Sequence, residues 1–130
     1  MKKILLVDDR YDALADLIRK LREKFAVELA ESIDEAIEIL KEDQEAIKGV
    51  ILDLYIPGKS KIDHYQSKYD YKNNQGQSLG IYLSENFPDI KYFYLTNFPN
   101  NLTGDETGKP LISKNARHDE IINFCTENFK

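Results

Sequence analysis

The sequence has 130 residues, of which 18 are Lys or Arg and 23 are Asp or Glu, giving a formal net charge of −5. This length suits one domain around one core, and the acidic balance argues against direct nucleic-acid binding, which depends on clustered basic side chains. The single cysteine, Cys125, excludes an internal disulfide and fits a reducing compartment. The apolar runs are too short for a membrane span or a signal peptide. We therefore expect a cytoplasmic protein without a membrane partner.

The first third of the chain alternates apolar runs with helical patterns. Residues 4–7 are uniformly apolar and stop at Asp8, which predicts a strand buried on both faces. Residues 27–30 alternate between apolar and polar, as an edge strand does. Ser32 followed by Glu35 matches a capping box and predicts the start of the second helix. Between the two strands, apolar residues at helical spacing predict the first helix: Leu14, Leu17, Ile18, Leu21 and Phe25.

The rest of the chain continues the alternation of strands and helices. Apolar runs at residues 50–52, 92–95 and 111–112 predict three more strands. Helical spacing predicts one helix from about Gly76 to Pro88. A final helix is marked by Ile121, Ile122, Cys125 and Phe129. Strands that alternate with helices in this way indicate a parallel sheet that is covered by helices on both faces.

The patterns of the strands also restrict their order in the sheet. The alternating segment 27–30 requires an edge, whereas the uniformly apolar runs 4–7 and 50–52 require the centre. Right-handed crossovers leave few ways to connect such strands. The flavodoxin-like strand order 2-1-3-4-5 meets these requirements. We therefore predict an α/β fold, a (βα)5 three-layer sandwich that forms one domain over residues 1–130.

Two stretches depart from this pattern. Residues 59–75 contain four lysines, two aspartates and three tyrosines with almost no aliphatic side chain, which predicts an inserted loop after the third strand. Residues 97–110 contain Pro99, Gly104 and Gly108, which predict a reduced fourth helix. The tyrosines of the insertion either have no role or form a partner-binding patch, since tyrosine is favoured in interfaces.

Polar residues follow the predicted strands at the edge where open parallel sheets bind ligands. They are Asp8 and Asp9 after the first strand, Asp53 after the third, Thr96 after the fourth and Lys114 after the fifth. Clustered carboxylates repel one another, and oxygen ligands without a nearby His or Cys favour Mg²⁺ or Mn²⁺. Asp53 occupies the central position among these residues, which suits a carboxylate that acts as a nucleophile toward phosphorus. The pattern indicates a metal-assisted phosphoryl site.

These residues also allow a purely structural interpretation. Asp8 and Asp9 suit the beginning of the first helix, where a cap or the helix dipole stabilises acids. Asp53 precedes a Pro-Gly turn and can simply end its strand, and Lys114 can act as a structural counter-ion. Their common position at one sheet edge favours the metal site over these separate roles.

The order of these motifs resembles the receiver domain of bacterial two-component response regulators, and the resemblance covers essentially the whole chain. The matching segments are residues 3–9, 50–58, 95–96 and 113–114. The resemblance implies phosphorylation of Asp53 by a histidine kinase or phosphotransfer protein, which switches partner interactions, and no enzymatic activity beyond self-phosphorylation and dephosphorylation. It implies that Thr96 and Lys114 contact the phosphoryl group. It further implies Mg²⁺ binding by Asp8, Asp9, Asp53 and the backbone carbonyl of Tyr55.

Three positions differ from the usual receiver pattern. Asn115 replaces the proline after the lysine, Asn97 replaces the small residue after the threonine, and Leu111 replaces the aromatic residue before the lysine. These differences leave open a second hypothesis, a receiver-like module that docks a partner without phosphorylation. A third hypothesis is a Mg²⁺-dependent phosphohydrolase related to haloacid dehalogenases, but the sequence at Asp8 lacks the Asp-x-Asp spacing of those enzymes.

Overall fold

Five parallel strands form one sheet in the residues that the computed structural model describes, which are 1–57, 60–62, 75–97 and 109–130. The strands are β1 (Lys3–Val7), β2 (Ala26–Ala30), β3 (Ile47–Leu52), β4 (Lys91–Thr96) and β5 (Leu111–Ser113). A 3₁₀ helix (Tyr11–Leu14) precedes α1 (Ala15–Leu21), and the other helices are α2 (Ile33–Asp43), α3 (Gln75–Asn86) and α4 (His118–Asn128). The strand order β2-β1-β3-β4-β5 confirms the predicted order.

The burial of the strands explains their positions in the sheet. Residues 4–7 of β1 and residues 50–52 of β3 are at most 1% exposed, because both faces of these central strands are covered. In β2 only Ala30 is buried, as expected for an edge strand. β3 begins at Ile47, earlier than the predicted apolar run, because Gly49 still pairs with both neighbouring strands.

Two apolar clusters lie on opposite faces of the sheet and confirm the predicted three layers. Alternate residues of β1 point to opposite faces, so Leu5 packs with α2 and α3, whereas Leu6 packs with α1 and α4. Cys125 of α4 is fully buried in the second cluster, as predicted for a core residue. Burial raises the pKa of the Cys125 thiol to about 12.

The helices begin and end close to the predicted positions, with two local differences. α1 ends at Leu21, and Phe25 follows it as a buried residue whose amide donates to the Leu21 carbonyl at 2.8 Å. At α2 the Ser32 hydroxyl accepts from the Glu35 amide at 3.1 Å, which confirms the cap. The Glu35 carboxylate reaches back to the amide of Glu31 at 3.3 Å, one residue before the position that a capping box uses.

The glycine in β3 allows the end of α4 to pack closely against the sheet. A Cβ atom at Gly49 would lie 2.2 Å from ring carbons of Phe129. That ring also stacks on Phe93 of β4, with 5.7 Å between the ring centroids. The residue that follows α4 therefore contacts two central strands.

Two predictions fall mainly outside the described residues: the inserted loop at 59–75 and the reduced helix within 97–110. α3 begins at Gln75, where the predicted insertion ends, and runs to Asn86 as the spacing predicted. Among the described helices, none combines the length and the apolar character that a membrane span needs.

Candidate functional site

The carboxyl ends of β1 and β3 bring three carboxylates together. Asp8 and Asp9 follow β1, Asp53 follows β3, and one oxygen from each lies within 4.8 Å of the others. The Asp8 amide donates to the Ala30 carbonyl at 3.0 Å, and the Asp53 amide donates to the Val7 carbonyl at 3.0 Å. These bonds extend the sheet by one residue past each strand, so the sheet itself fixes the two acids.

Lys114 follows β5 and contacts both buried acids. Its Nζ atom lies 2.8 Å from Oδ2 of Asp8 and 3.0 Å from Oδ2 of Asp53. The side chains of Lys114, Asp8 and Asp53 are 14%, 1% and 8% exposed, respectively. The backbone amide of Lys114 donates to the carbonyl of Thr96 at 2.9 Å, so the end of β4 helps to place the lysine. Because the two acids are buried, water screens the attraction between these charges less than it does in a surface ion pair.

The second oxygen of each buried acid accepts a hydrogen bond from the backbone. Asp8 Oδ1 accepts from the Arg10 amide at 2.8 Å, and Asp53 Oδ1 accepts from the Tyr55 amide at 3.4 Å. Asp8 therefore also stabilises the turn before the 3₁₀ helix, which agrees in part with the structural interpretation of this residue. Both carboxylates are held at two atoms, with a fixed orientation toward the sheet edge.

Burial and neighbouring charges shift the ionisation of the site. Burial raises the pKa of the Asp53 carboxyl; Asp8 adds to the rise, and Lys114 opposes it without cancelling it. Burial acts against the charge on Lys114, but the carboxylates of Asp8 and Asp53 outweigh it and raise the pKa of the lysine. Two buried carboxylates thus pair with one ammonium group and a third carboxylate lies beside them, so a bound cation would relieve the repulsion among the acids.

Replacing Asp53 with asparagine is expected to stabilise the metal-free protein at neutral pH by about 1 kcal/mol, while Lys114 keeps its pair with Asp8. The folded-state pKa of Asp53 lies above the unfolded value, so the stability that this group contributes at low pH is lost as the pH rises through the folded pKa. The free energy of unfolding of Asp53→Asn should therefore exceed that of the wild type by a margin that increases as the pH rises above about 4. Urea unfolding in EDTA at several pH values measures this difference.

The matched control for that prediction is Asp16→Asn, since the Asp16 side chain is 83% exposed. This variant is expected to unfold like the wild type across the same pH range. A stability difference between the wild type and Asp53→Asn that stays constant as the pH rises above about 4, or that changes in favour of the wild type, would contradict the raised pKa of Asp53.

The acids lie in an open cleft of about 640 Å³, which has room for a hydrated cation and a tetrahedral anion. Of the predicted site residues, the cleft is lined by Asp8, Asp9, Asp53, Tyr55, Thr96 and Lys114. Thr96 is fully buried, and the Tyr55 residue is 46% exposed. Asn97 and Asn115 also line the cleft, whereas Leu111 packs against the apolar cluster below α2 and α3.

Arg10 is a cleft residue that was not among the predicted site residues. Its amide holds Asp8, and its position two residues after a strand-terminal aspartate is the signal for this contact. Its role comes from the main chain, which explains why its side-chain chemistry gave no indication of it.

The three carboxylates fit a hard dication. They offer only oxygen ligands, and Mg²⁺ is commonly bound through one or two carboxylates with the remaining positions filled by water or phosphate. They form the one such acidic group in the described part of the chain. The donor set therefore agrees with the predicted Mg²⁺ or Mn²⁺.

No protein-family model and no curated protein matches the sequence of this chain. Solved receiver domains match it in structure. The non-phosphorylated HemR receiver domain from Leptospira biflexa has a TM-score of 0.73 and 24% identity, covering 100% of this chain and 95% of that chain. The response regulator TrrA from Thermotoga maritima, in complex with Mg²⁺ and beryllium fluoride, has a TM-score of 0.73 and 23% identity, covering 98% of each.

A third similar structure is a receiver domain protein from Methanospirillum hungatei, with a TM-score of 0.72 and 18% identity over 99% of this chain and 94% of that chain. At these identities the comparisons establish the fold. The chain has the fold of response regulator receiver domains over its whole length. The predicted fold class is therefore confirmed.

Proposed function

We propose that residues 1–130 form a phosphoacceptor receiver domain of a two-component phosphorelay, which accepts a phosphoryl group on Asp53. The observation that carries this proposal is the position of Lys114, whose Nζ lies 2.8 Å from Asp8 and 3.0 Å from Asp53. It joins the acids at the ligand-binding edge of a receiver fold. A lysine with a purely structural role needs only one acidic partner. Lys114 instead contacts two buried acids, and a third acid lies beside them.

The residues that hold the cation in this proposal are Asp8, Asp9 and Asp53, together with the backbone carbonyl of Tyr55. When bound, Mg²⁺ neutralises charge on the acids and on the transferred phosphoryl group. The Tyr55 amide and Lys114 hold the Asp53 carboxylate at separate oxygens. The chain thereby presents an oriented nucleophile, which is the main requirement of phosphoryl transfer.

In the transfer step, a carboxylate oxygen of Asp53 forms a bond to phosphorus. The bond from phosphorus to the donor breaks, a P–N bond for a kinase phosphohistidine or a P–O bond for acetyl phosphate. Lys114 then neutralises negative charge on the phosphoryl group, and Thr96 contacts one of its oxygens. The added negative charge beside Asp8 and Asp9 biases the surrounding loops toward a second arrangement that a partner protein recognises.

The proposed role places the chain in the cytoplasm, where it exchanges a phosphoryl group with a histidine kinase or phosphotransfer protein. Direct contact with nucleic acid is not part of the proposal, because an overall net charge of −5 does not favour binding to phosphate groups.

A second candidate function is a docking module that works without phosphorylation. The observation that favours it is the lining of the cleft by Asn97 and Asn115, which are larger or more polar than the residues usual there. Under this alternative, a partner binds the protein with equal affinity in the presence and in the absence of a phosphoryl mimic.

Incubation with acetyl phosphate and Mg²⁺, followed by intact-mass spectrometry, tests the phosphoacceptor role. The wild type is expected to gain the mass of one phosphoryl group in a labile form, and Asp53→Ala or added EDTA should abolish the gain. Asp16→Ala, at an exposed acid, is the matched control and should be labelled like the wild type. Label that persists in Asp53→Ala would overturn the assignment, and a wild type that neither acetyl phosphate nor a phosphorylated kinase labels would favour the docking module.

A further inference from the structure

Residues 54–57 and 60–62 follow β3, and contacts with α2 and α3 hold them in place. We call these residues the anchored segment. The Lys61 amide donates to Oδ1 of Asp34 at 2.9 Å, and Asp34 lies in the first turn of α2. Ile62, at 5% exposure, packs into the apolar cluster with residues of α2 and α3. A hydrogen bond and a buried side chain therefore fix the far end of this segment.

The near end of the anchored segment is fixed as well. The Gly76 amide donates to the Leu54 carbonyl at 2.8 Å. Leu54 and Ile56 are at most 1% exposed and belong to the same apolar cluster as Ile62. Tyr55 lies between two buried residues, so its main chain has little freedom to move independently of them.

The main chain at Tyr55 holds the central acid of the site. Its amide donates to Oδ1 of Asp53 at 3.4 Å, which is at the long end of the range for a hydrogen bond. A small displacement of the anchored segment breaks such a contact, because hydrogen bonds weaken steeply with distance and angle. The contacts that fix the segment therefore help to orient the Asp53 carboxylate, together with the sheet and Lys114.

We propose that Asp34 and Ile62 are positioning residues for the Asp53 site. They hold the anchored segment so that the Tyr55 amide stays on Asp53 and the acid faces the cation. The effect on cation binding rests on the proposed function, whereas the effect on Tyr55 does not. The proposal links the start of α2 to the site, so a partner that displaces Asp34 from Lys61 weakens cation binding at Asp53.

Two substitutions at Asp34 separate its hydrogen bond from its charge. Asp34→Ala removes the acceptor, whereas Asp34→Asn keeps an acceptor oxygen and loses the same charge. Amide hydrogen exchange at Tyr55, measured by NMR on metal-free protein, is expected to be about tenfold faster in Asp34→Ala than in Asp34→Asn, as for the loss of one hydrogen bond. The Kd of Mg²⁺, measured by calorimetry, is expected to rise severalfold in Asp34→Ala and to return toward the wild-type value in Asp34→Asn.

Ile62→Ala tests the second anchor with the same two readouts, and Glu38→Ala, at an exposed acid of α2, is the control. A merely structural role lowers the unfolding temperature but leaves Tyr55 exchange and the Kd unchanged. Unchanged values in Asp34→Ala, with normal Mg²⁺ binding and phosphorylation in the wild type, would overturn this inference alone. A wild-type protein that binds no Mg²⁺ would overturn the proposed function and the proposed effect on cation binding. Amide exchange at Tyr55 would still test whether Asp34 and Ile62 position the Tyr55 amide.

Discussion

Replacing Lys114 with methionine is expected to destabilise the metal-free protein by about 3–5 kcal/mol, the usual effect of removing one partner from a buried ion pair. The side chain of Lys114 is 14% exposed, and it neutralises Asp8 and Asp53, which are more deeply buried still. Without the ammonium group, these acids and Asp9 repel one another, and Asp8 and Asp53 carry buried charges that no cation neutralises. Urea unfolding in EDTA measures the loss, and Mg²⁺ should restore part of it because the cation binds only the folded site.

Two variants control this prediction. Arg117→Met removes an ion pair with Asp119 whose side chains are 76% and 58% exposed, so a loss of at most about 1 kcal/mol is expected. Adding Asp53→Asn to Lys114→Met removes one of the stranded charges and should recover part of the stability. A Lys114→Met protein as stable as Arg117→Met would show that the lysine does not neutralise the acids.

Replacing Gly76 with alanine is expected to damage both the fold and the site. A Cβ atom there would lie 1.9 Å from the carbonyl oxygen of Asp53 and 3.0 Å from the Cα of Leu54. Both obstacles are backbone, so the start of α3 must move away from β3 and weaken the bond from the Gly76 amide to Leu54. We expect a loss of about 1–3 kcal/mol in the free energy of unfolding and a weaker affinity for Mg²⁺.

Gly49→Ala is the matched control for the substitution at Gly76. A Cβ atom at Gly49 also meets an obstacle, the Phe129 ring at 2.2 Å, but this contact lies away from the cleft residues. It is expected to lower stability without changing the Kd of Mg²⁺ in the fraction that remains folded. Calorimetric titration of both variants below their unfolding temperatures makes the comparison, and equal Mg²⁺ affinity for both would contradict the proposed effect of Gly76 on the site.

Much of the fold could be predicted from burial patterns. The uniformly apolar runs of β1 and β3 require central positions, and the alternating residues of β2 require an edge, which together determine the strand order. The same reasoning placed Asp8, Asp53 and Lys114 at one sheet edge, and the structure brings these side chains into contact. Periodicity was sufficient here because each residue directly follows a strand that the sheet fixes in space.

Contacts that depend on the main chain could not be predicted in this way. The bond from the Lys61 amide to Asp34 joins the segment after β3 to α2, and no local pattern encodes a contact between residues so distant in sequence. The early start of β3 was missed because Lys48, which is exposed, and Gly49, which is buried but has no side chain, interrupt the apolar run that marks a buried strand. The contact between Gly49 and Phe129 depends on the packing of the final helix, which residue spacing alone does not determine.

The burial of Cys125 has a consequence for the oxidation chemistry of the protein. Oxidants and disulfides react with the thiolate, and a thiol with a pKa of about 12 in a fully buried position presents almost none of it at physiological pH. The folded chain is therefore insulated from peroxide and from mixed disulfide formation at its single cysteine. We therefore expect oxidants to modify this thiol in molecules in which α4 has separated from the sheet.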